Sequence, residues 1–451
     1  MKVDLIRKYN VPGPRYTSYP TVPHWHEAPT MEQWKAEIKN AFKASNKTEG
    51  ISLYLHLPYC ESLCTYCGCN MRVSSNHGVE KPYIDLLLKE WELYLNLFDE
   101  RPILKEIHLG GGTPTFFSPQ NLTILLEAIL AESEIAEDYE FSFEAHPKNT
   151  SLGHLEALYE LGFRRLSLGI QDFDPTVQEV INRIQPYEMV EEVVLNARKV
   201  GYESINFDLI YGLPLQTLKS VEGTIEKVGR LKPDRIAFYS YAHVPWDRKM
   251  QRKFTEADLP AEGEKRALYE RGKEMFDALG YQEIGMDHFA LENDNLFQAM
   301  EKQTLHRNFM GYTAGATQLM IGLGVSSISD TWTSFGQNEK NLGEYKARVL
   351  AGELPIFRGH LLSKDELEIR RHILNLMCQF STNWQPESLT DQLVNKNMDQ
   401  IHQMEKEGLL ELQGNKLMVS DLGKIFIRNI CMLVDPFIAK ETRKELFSKT
   451  I

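Results

Sequence analysis

From residue 51 onward, short apolar runs alternate with longer stretches whose apolar positions recur every three or four residues. The runs at 51–57, 103–109, 139–144, 165–170, 205–211 and 235–241 are compact and rich in Ile, Leu, Phe and Tyr. Such runs are expected of strands covered on both faces. A helical period fills the intervals at 83–98, 121–131, 152–161, 187–200 and 218–231. Strand and helix alternating in this way predict a parallel sheet with right-handed crossovers. The expected fold class is therefore α/β, an incomplete (βα)6 TIM-like barrel.

The flanking segments follow other rules. Residues 9–30 hold five prolines among aromatics, beginning Tyr9-Asn-Val-Pro-Gly-Pro-Arg-Tyr-Thr-Ser-Tyr-Pro20. Proline fixes φ and removes a backbone donor, so this stretch reads as an irregular docked arm. Beyond the repeats come a charged helix over 262–279, a short strand at 282–286 and an apolar piece at 319–328 interrupted by Gly322 and Gly324. From 361 the pattern changes to helices over 364–380 and around 398–407, then a hairpin about Gly414-Asn415. Helix, helix, hairpin suggests a mostly helical, winged-helix-like C-terminal domain, here expected to pack rather than to bind DNA. The expected division is an N-terminal arm and helix over 1–48, the barrel over 49–290, an extension completing the active site over 291–358, and the C-terminal domain over 359–451.

Composition narrows function more than fold. A chain 42% hydrophobic and 25% charged is ordinary for a soluble protein, and no apolar run is long enough to span a bilayer. The opening Met-Lys-Val-Asp carries no apolar export segment. A cytoplasmic, reducing location follows as the expectation, with no membrane partner and a monomeric chain. A net charge of −13 argues against nucleic acid, whose phosphates demand an excess of Lys and Arg. It leaves room for a local basic pocket that meets an anionic small molecule.

The chemistry concentrates just past the first apolar run, in Tyr54-Leu-His-Leu-Pro-Tyr-Cys60-Glu-Ser-Leu-Cys64-Thr-Tyr-Cys67-Gly-Cys69-Asn70. A CxxxCxxC loop can wrap three thiolates around an iron–sulfur cube and leave one iron open. A zinc knuckle completed by Cys69, His56 or His77 is the alternative reading of the same residues. A disulfide knot suits six cysteines in 451 residues poorly. One strand later, Gly110-Gly111-Gly112-Thr113-Pro114-Thr115 offers exposed backbone N–H groups to a carboxylate or phosphate. Glu144 and Asp208 close apolar runs, where each could face the rim of the sheet or cap the next helix. Gln171 and Asp172 follow the run ending at Ile170, with Arg183 in the helical stretch beyond.

The cysteine spacing, with Tyr66 before the last cysteine, resembles the signature of the radical S-adenosylmethionine enzymes. More specifically, the chain resembles the oxygen-independent coproporphyrinogen III oxidase (dehydrogenase) family along almost its full length. The resemblance runs through YNVPGPRYTSYP at 9–20, residues 54–70, GGGTPT at 110–115, GIQDF at 169–173, FDLIYGLP at 207–214, YSYAH at 239–243 and RNFMGYT at 307–313. It implies one 4Fe–4S cluster on Cys60, Cys64 and Cys67, with Cys69 not a ligand, and two S-adenosylmethionine molecules side by side. It implies cofactor contacts from Tyr54, Tyr66, Gly110, Gly111, Gly112, Thr113, Glu144, Gln171, Arg183, Asp208, Ala242 and Ile328. Catalytic roles would fall to Tyr54, Cys69, Phe309 and Met310. The implied reaction turns two propionates of coproporphyrinogen III into the vinyl groups of protoporphyrinogen IX. Arg15 and Arg307 are candidates to meet the substrate's carboxylates. A flavodoxin or ferredoxin would donate electrons, and the terminal acceptor is unknown.

Two alternatives stand beside this expectation. A heme chaperone of the same superfamily shares the barrel, but such proteins follow the third cysteine with Asp-Phe where this chain has Gly68-Cys69, and they lack the proline-rich arm. A zinc-stabilised regulator with a winged-helix end is the other.

The chain departs from the family pattern at Met310, where the pattern carries Gln. A thioether replaces an amide with two donors and an acceptor, and a neutral hydrogen bond is worth about 1 kcal/mol. Met310→Gln is therefore expected to tighten apparent binding of the second S-adenosylmethionine or of the substrate several-fold. Anaerobic turnover and cofactor titration of both proteins measure this. Weaker binding in the variant would mark Met310 as an adapted residue rather than a tolerated loss.

Overall fold

Every residue of strand β1 (Ile51–Leu57) is buried. In the computed structural model, which describes residues 2–25, 28–246, 248–438, 447, 449 and 450, the chain divides into two compact units. The larger comprises Glu27–Tyr281 and Thr317–His360; the smaller comprises Met1–His26, Gln282–Ala316 and Leu361–Ile451.

In the larger unit, β1 is followed in chain order and in space by β2 (Ile103–Gly111), β3 (Glu134–Ala145), β4 (Arg165–Gln171), β5 (Ser204–Tyr211) and β6 (Arg235–Ser240), all parallel. Helix α1 (Met31–Ser45) precedes β1. The crossovers carry α2 (Glu80–Leu95), α3 (Pro119–Ala131), α4 (Leu152–Glu160), α5 (Pro175–Val180), α6 (Tyr187–Val200) and α7 (Leu218–Leu231), and α8 (Glu262–Ala278) follows β6. Ser118, Ser151 and Thr217 cap α3, α4 and α7 through their hydroxyls, so each chain turn from strand to helix satisfies the orphan N–H groups locally.

The piece at 319–328 does not form one element. Met320–Leu323 is β7, which pairs parallel with the free side of β1. The chain then reverses into β8 (Ile328–Asp330) and β9 (Ser334–Asn338), both antiparallel, and β10 (Ile356–Leu361) extends the sheet beyond β9. The interrupting glycine has a steric cause. A Cβ on Gly322 would sit 2.6 Å from the Ile328 carbonyl oxygen. The result is an α/β fold on a large, mostly parallel sheet.

The smaller unit contains the arm. After a helix over Lys2–Tyr9 the chain is irregular as far as a 3₁₀ turn at Val22–His24, as its prolines require. Buried Arg428 donates to the carbonyls of Gly13 and Pro14, and Asp435 accepts from Tyr16 (2.9 Å) and Tyr19 (3.4 Å). Helices Lys364–Gln379, Leu389–Lys396 and Met398–Lys406 accompany a three-stranded antiparallel sheet with Lys416–Val419 between Ser381–Asn383 and Leu410–Gln413. The helix at 389–396 and the strand at 381–383 lie outside the expected pattern. Neither is long enough to show a period.

One buried acid joins the far elements of the large unit. On α2, Glu90 accepts the Gly324 N–H (2.8 Å), the hydroxyl of Tyr345 (2.6 Å) on α9 (Leu342–Leu350) and the amide of Asn338 (2.6 Å). Burial pushes its pKa up to about 7 from 4.5, although all three hydrogen bonds pull the other way. The folded pKa exceeds the unfolded one, so the associated stability is full below pH 4.5 and is lost as pH rises through about 7. Glu90→Gln removes the titration. The wild type is expected to lose stability relative to this variant across that window, by on the order of 3 kcal/mol at completion. Denaturant melts at stepped pH measure the difference, and parallel curves would contradict it.

A candidate active site at the strand ends

The strands of the large unit do not bury identical faces. Leu53, Leu55, Ile107, Leu109, Phe141, Phe143, Leu166, Leu168, Ile205 and Phe207 fill the apolar side. The intervening positions carry Tyr54, His56, His108, Ser142, Glu144, Arg165, Ser167, Asn206 and Asp208. Successive side chains point to opposite faces of a sheet, so these polar residues share one face. The register aligns them: Tyr54 lies opposite His108, His108 opposite Ser142, and Glu144 opposite Ser167.

They satisfy one another across the strands. Tyr54 stacks on His108, with ring centroids 5.9 Å apart, and its hydroxyl meets His56 Nδ1 at 3.2 Å. His56 Nε2 lies 2.8 Å from the Asn70 carbonyl, which only accepts, so Nε2 carries the proton and Nδ1 accepts from Tyr54. Burial holds this imidazole below its usual pKa and thus neutral. His108 Nδ1 meets Ser142 Oγ at 2.8 Å, and its Nε2 lies 3.4 Å from Glu144. Glu144 also accepts the Gly111 N–H at 3.3 Å. Asp208 accepts from Ser167 (3.0 Å) and Asn206 (2.9 Å). Burial, with the nearby Glu144 charge, pushes its pKa up to about 6. Neither carboxylate caps a helix; Ser151 and Thr217 do that.

The cysteine loop leaves the end of β1 and is fastened at several points. Gly112 N–H donates to the Leu57 carbonyl (2.9 Å) and Thr113 N–H to the Tyr59 carbonyl (3.0 Å). Tyr59–Cys60 and Arg72–Val73 form a short parallel pair that closes the loop. Thr65 binds the carbonyls of Ile181 (3.0 Å) and Val180 (3.1 Å), and Asn182 donates to the Leu63 carbonyl at 2.7 Å. Tyr66 packs against a cluster of Val177, Ile181, Leu213, Tyr241 and Phe254. Gln251 ties the carbonyls of Tyr66 and Ala242 together, each at 3.2 Å.

Cys60, Cys64 and Cys67 are partly exposed, Cys69 is exposed, and none is in a disulfide. Each of the first three sulfurs receives a hydrogen bond. Thr113 Oγ1 donates to Cys60 at 3.3 Å, Arg183 Nη1 to Cys64 at 3.6 Å, and the Cys69 N–H to Cys67 at 3.4 Å. The Cys69 side chain together with that N–H lowers the Cys67 pKa to about 6, whereas burial pushes Cys60 up to about 11. Among the described residues no three His, Cys, Asp or Glu side chains gather tightly enough for a single metal ion. An iron–sulfur cube spreads its ligands over separate irons, and three thiols each supplied with a donor suit it.

Arg183, a lone arginine by sequence, is not solvated; it clamps the Gly169 carbonyl through Nε (3.2 Å) and Nη2 (2.5 Å) while reaching Cys64. It lies in the loop after α5 rather than in a helix. Gln171 ends β4 with φ +66°, a left-handed conformation rare for a side-chain-bearing residue. Asp172 anchors that turn, accepting from Thr224 (2.7 Å), Gln216 (2.5 Å) and the Asp174 N–H (2.6 Å). Ile328 opens β8 beside Gly322. The large unit thus gathers Tyr54, Tyr66, the cysteines, Gly110 to Thr113, Glu144, Gln171, Arg183, Asp208, Ala242 and Ile328 about its parallel strands. His56, His108 and Ser142 belong to the same network; His108 and Ser142 were not among the expected residues, and His56 was considered only as a zinc ligand. Their signal was polar alternation inside apolar runs.

Phe309 and Met310 belong to the smaller unit. They form the turn between His306–Asn308 and Gly311–Thr313, where Met310 N–H donates to Asn308 Oδ1 at 2.9 Å. In the same unit Arg307 is buried with its guanidinium 4.6 Å from the Tyr312 ring centroid, and its Nε and Nη1 have no hydrogen-bond partner among the described residues. Arg15 pairs with Asp287 at 3.3 Å.

Three comparisons bear on this site. Residues 54–228 match the radical SAM superfamily. The oxygen-independent coproporphyrinogen III oxidase of Pseudomonas aeruginosa is 36% identical over 99% of this chain and 98% of its own, and that of Helicobacter pylori J99 is 38% identical over 99% of each. A solved structure of coproporphyrinogen III oxidase from Escherichia coli, described as a radical SAM enzyme, superposes with a TM-score of 0.89 at 34% identity. It covers 96% of this chain and 98% of its own.

The glycine turn is a point where the site's geometry can be tested directly. Gly111 has φ +115°, and a Cβ there would lie 2.9 Å from the His56 ring. Gly111→Ala is expected to cost about 1–3 kcal/mol of stability through strain and displacement of His56. A denaturant melt measures it, and an unchanged midpoint would show that the turn tolerates a side chain.

Proposed function

We propose that this chain, which belongs to the family of the oxygen-independent coproporphyrinogen III oxidases within the radical SAM enzymes, oxidatively decarboxylates coproporphyrinogen III to protoporphyrinogen IX. The observation that carries the reading is the trio Cys60, Cys64 and Cys67, each sulfur hydrogen-bonded, beside the Gly110 to Gly112 turn in a chain matching this family from end to end. The curated relatives named above are oxidases, which favours this reading over a heme chaperone.

A bound 4Fe–4S cluster with S-adenosylmethionine would supply radical chemistry for removing a hydrogen atom from each propionate β-carbon, with loss of CO2 and passage of one electron to an acceptor as each vinyl group forms. The protein's part is orientation and exclusion of water. Cys60, Cys64 and Cys67 would hold the cluster. Gly110, Gly111, Gly112 and Thr113 would line the site of the first cofactor and allow its close approach to the backbone, with Glu144 and Tyr54 beside them. Gln171, Arg183, Asp208, Ala242, Ile328 and Tyr66 would complete the sites of two S-adenosylmethionine molecules. Cys69, Phe309 and Met310 would contact the reacting groups. A tetracarboxylate substrate needs cations, and Arg307, with two guanidinium nitrogens unmatched among the described residues, fits that need better than the paired Arg15.

In this reading residues 1–48 are an N-terminal arm and helix, 49–290 form an incomplete (βα)6 barrel, 291–358 complete its active site, and 359–451 are a winged-helix-like packing module. The chain acts as a cytoplasmic monomer, reduced by a flavodoxin or ferredoxin. Among the described residues no helix is long and apolar enough to cross a membrane.

The test is anaerobic reconstitution with iron and sulfide, followed by turnover of coproporphyrinogen III with S-adenosylmethionine. Vinyl product and 5′-deoxyadenosine are expected together. Cys60→Ser, Cys64→Ser and Cys67→Ser should each abolish the brown absorbance and the iron, whereas Cys69→Ser should keep the cluster and lose activity. Iron loss in Cys69→Ser equal to the others would overturn the ligand assignment; zinc in place of iron would overturn the function.

A further inference from the structure

We propose that Thr113 sets the midpoint potential of the cluster by donating its hydroxyl hydrogen to the sulfur of Cys60. The inference rests on the function proposed above and adds a role that the family resemblance does not assign to this residue.

The geometry sets Thr113 apart from an ordinary turn threonine. It occupies the N-cap position of the 3₁₀ turn Pro114–Phe116, where a threonine hydroxyl normally accepts a backbone N–H. Here it makes no such bond; the hydroxyl lies 3.3 Å from Cys60 Sγ instead. Its backbone is held independently, through the N–H bond to the Tyr59 carbonyl at 3.0 Å. The residue is only 6% exposed, so water has little access to replace the bond. The same pattern recurs at the other two ligands, from the Arg183 guanidinium to Cys64 and from the Cys69 N–H to Cys67. At least one donor serves each sulfur.

The physical consequence follows from charge. One-electron reduction adds a negative charge to the cluster, part of which falls on its thiolate sulfurs. A donor aimed at a sulfur stabilises the reduced state more than the oxidised one and so raises the potential. Of the three donors, Thr113 is the one whose removal isolates this effect. The Cys69 donor is a backbone N–H, which substitution does not delete, and Arg183 also clamps the Gly169 carbonyl.

The experiment is a potentiometric titration of the reconstituted full-length protein, followed by electron paramagnetic resonance of the reduced cluster, without S-adenosylmethionine. Thr113→Val keeps the shape and removes the hydroxyl; Thr113→Ser keeps the hydroxyl and loses the methyl. In Thr113→Val the ratio of reduced to oxidised cluster at a fixed poise is expected to fall about tenfold, a shift of ~59 mV for one electron. Thr113→Ser is expected to stay near the wild type. An unchanged midpoint in Thr113→Val overturns the proposal, as does a Thr113→Ser midpoint displaced equally far. A Thr113→Val protein that takes up no cluster also overturns it, because the hydroxyl would then serve assembly. Absence of any cluster from the wild type would instead sink the function proposed above.

Discussion

Two backbone hydrogen bonds, from Gly112 to Leu57 and from Thr113 to Tyr59, determine how the ends of β1 and β2 separate. The strands are in register to their last residues, Leu57 opposite Gly111. They would diverge here if Gly112 carried a side chain, since a Cβ would stand 2.7 Å from the Pro58 carbonyl group. With glycine there, the turn and the first cysteine are held side by side, and the Thr113 hydroxyl reaches Cys60. A one-residue slip between these strands would send Tyr54, His56 and His108 to the apolar face. Register, loop path and cysteine placement are thus one constraint.

The polar face of the sheet is the second level of organisation. Tyr54, His56, His108, Ser142, Glu144, Ser167, Asn206 and Asp208 come from β1 to β5, and most of their hydrogen bonds cross from one strand to its neighbour. Unpaired, each such group would cost 1 kcal/mol or more on the ~1–3 kcal/mol scale of a buried unsatisfied donor or acceptor. Paired, they fix side-chain directions at the rim. His56 illustrates the coupling: its two nitrogens join the Tyr54 hydroxyl to the Asn70 carbonyl, at opposite ends of the cysteine stretch.

The six strands and their crossover helices were legible because compact apolar runs and helical period are local signals. So were the cysteine loop and the glycine turn, whose residue types have few other uses in that arrangement. The polar face was not. His56 and His108 sit within runs that look uniformly apolar at a glance, and their role depends on register between strands some fifty residues apart. β7 was missed as a partner of β1 because nothing in Leu319 to Ile328 indicates which strand it will join across more than 260 residues. Arg183 was placed in a helical stretch, and its clamp could not be foreseen, since only the folded chain brings Gly169 and Cys64 to it. Short elements such as Ser381–Asn383 carry too few residues to show a period.

The charge on the polar face has a consequence for what can bind there. Glu106, Glu140, Glu144 and Asp208 all project from it, and Arg165 pairs with Glu140 at 2.9 Å. Among the described residues no cation is hydrogen-bonded to Asp208; its partners are Ser167 and Asn206. Burial and the neighbouring acids lift Asp208 to about 6 and Glu106 to about 7, the sign of negative charge that the fold does not fully compensate. A ligand bringing positive charge to the rim beside Asp208 and Glu144 relieves that excess and draws Asp208 toward its ionised form. At Glu144 burial is outweighed by His108 and the Gly111 N–H, which already hold it below its usual pKa. S-adenosylmethionine carries a sulfonium and an ammonium against one carboxylate, so its net charge has the required sign. An anionic ligand would meet repulsion there, since the Arg165 of this face is already engaged by Glu140, so the four carboxylates of the proposed substrate must be met by cations elsewhere.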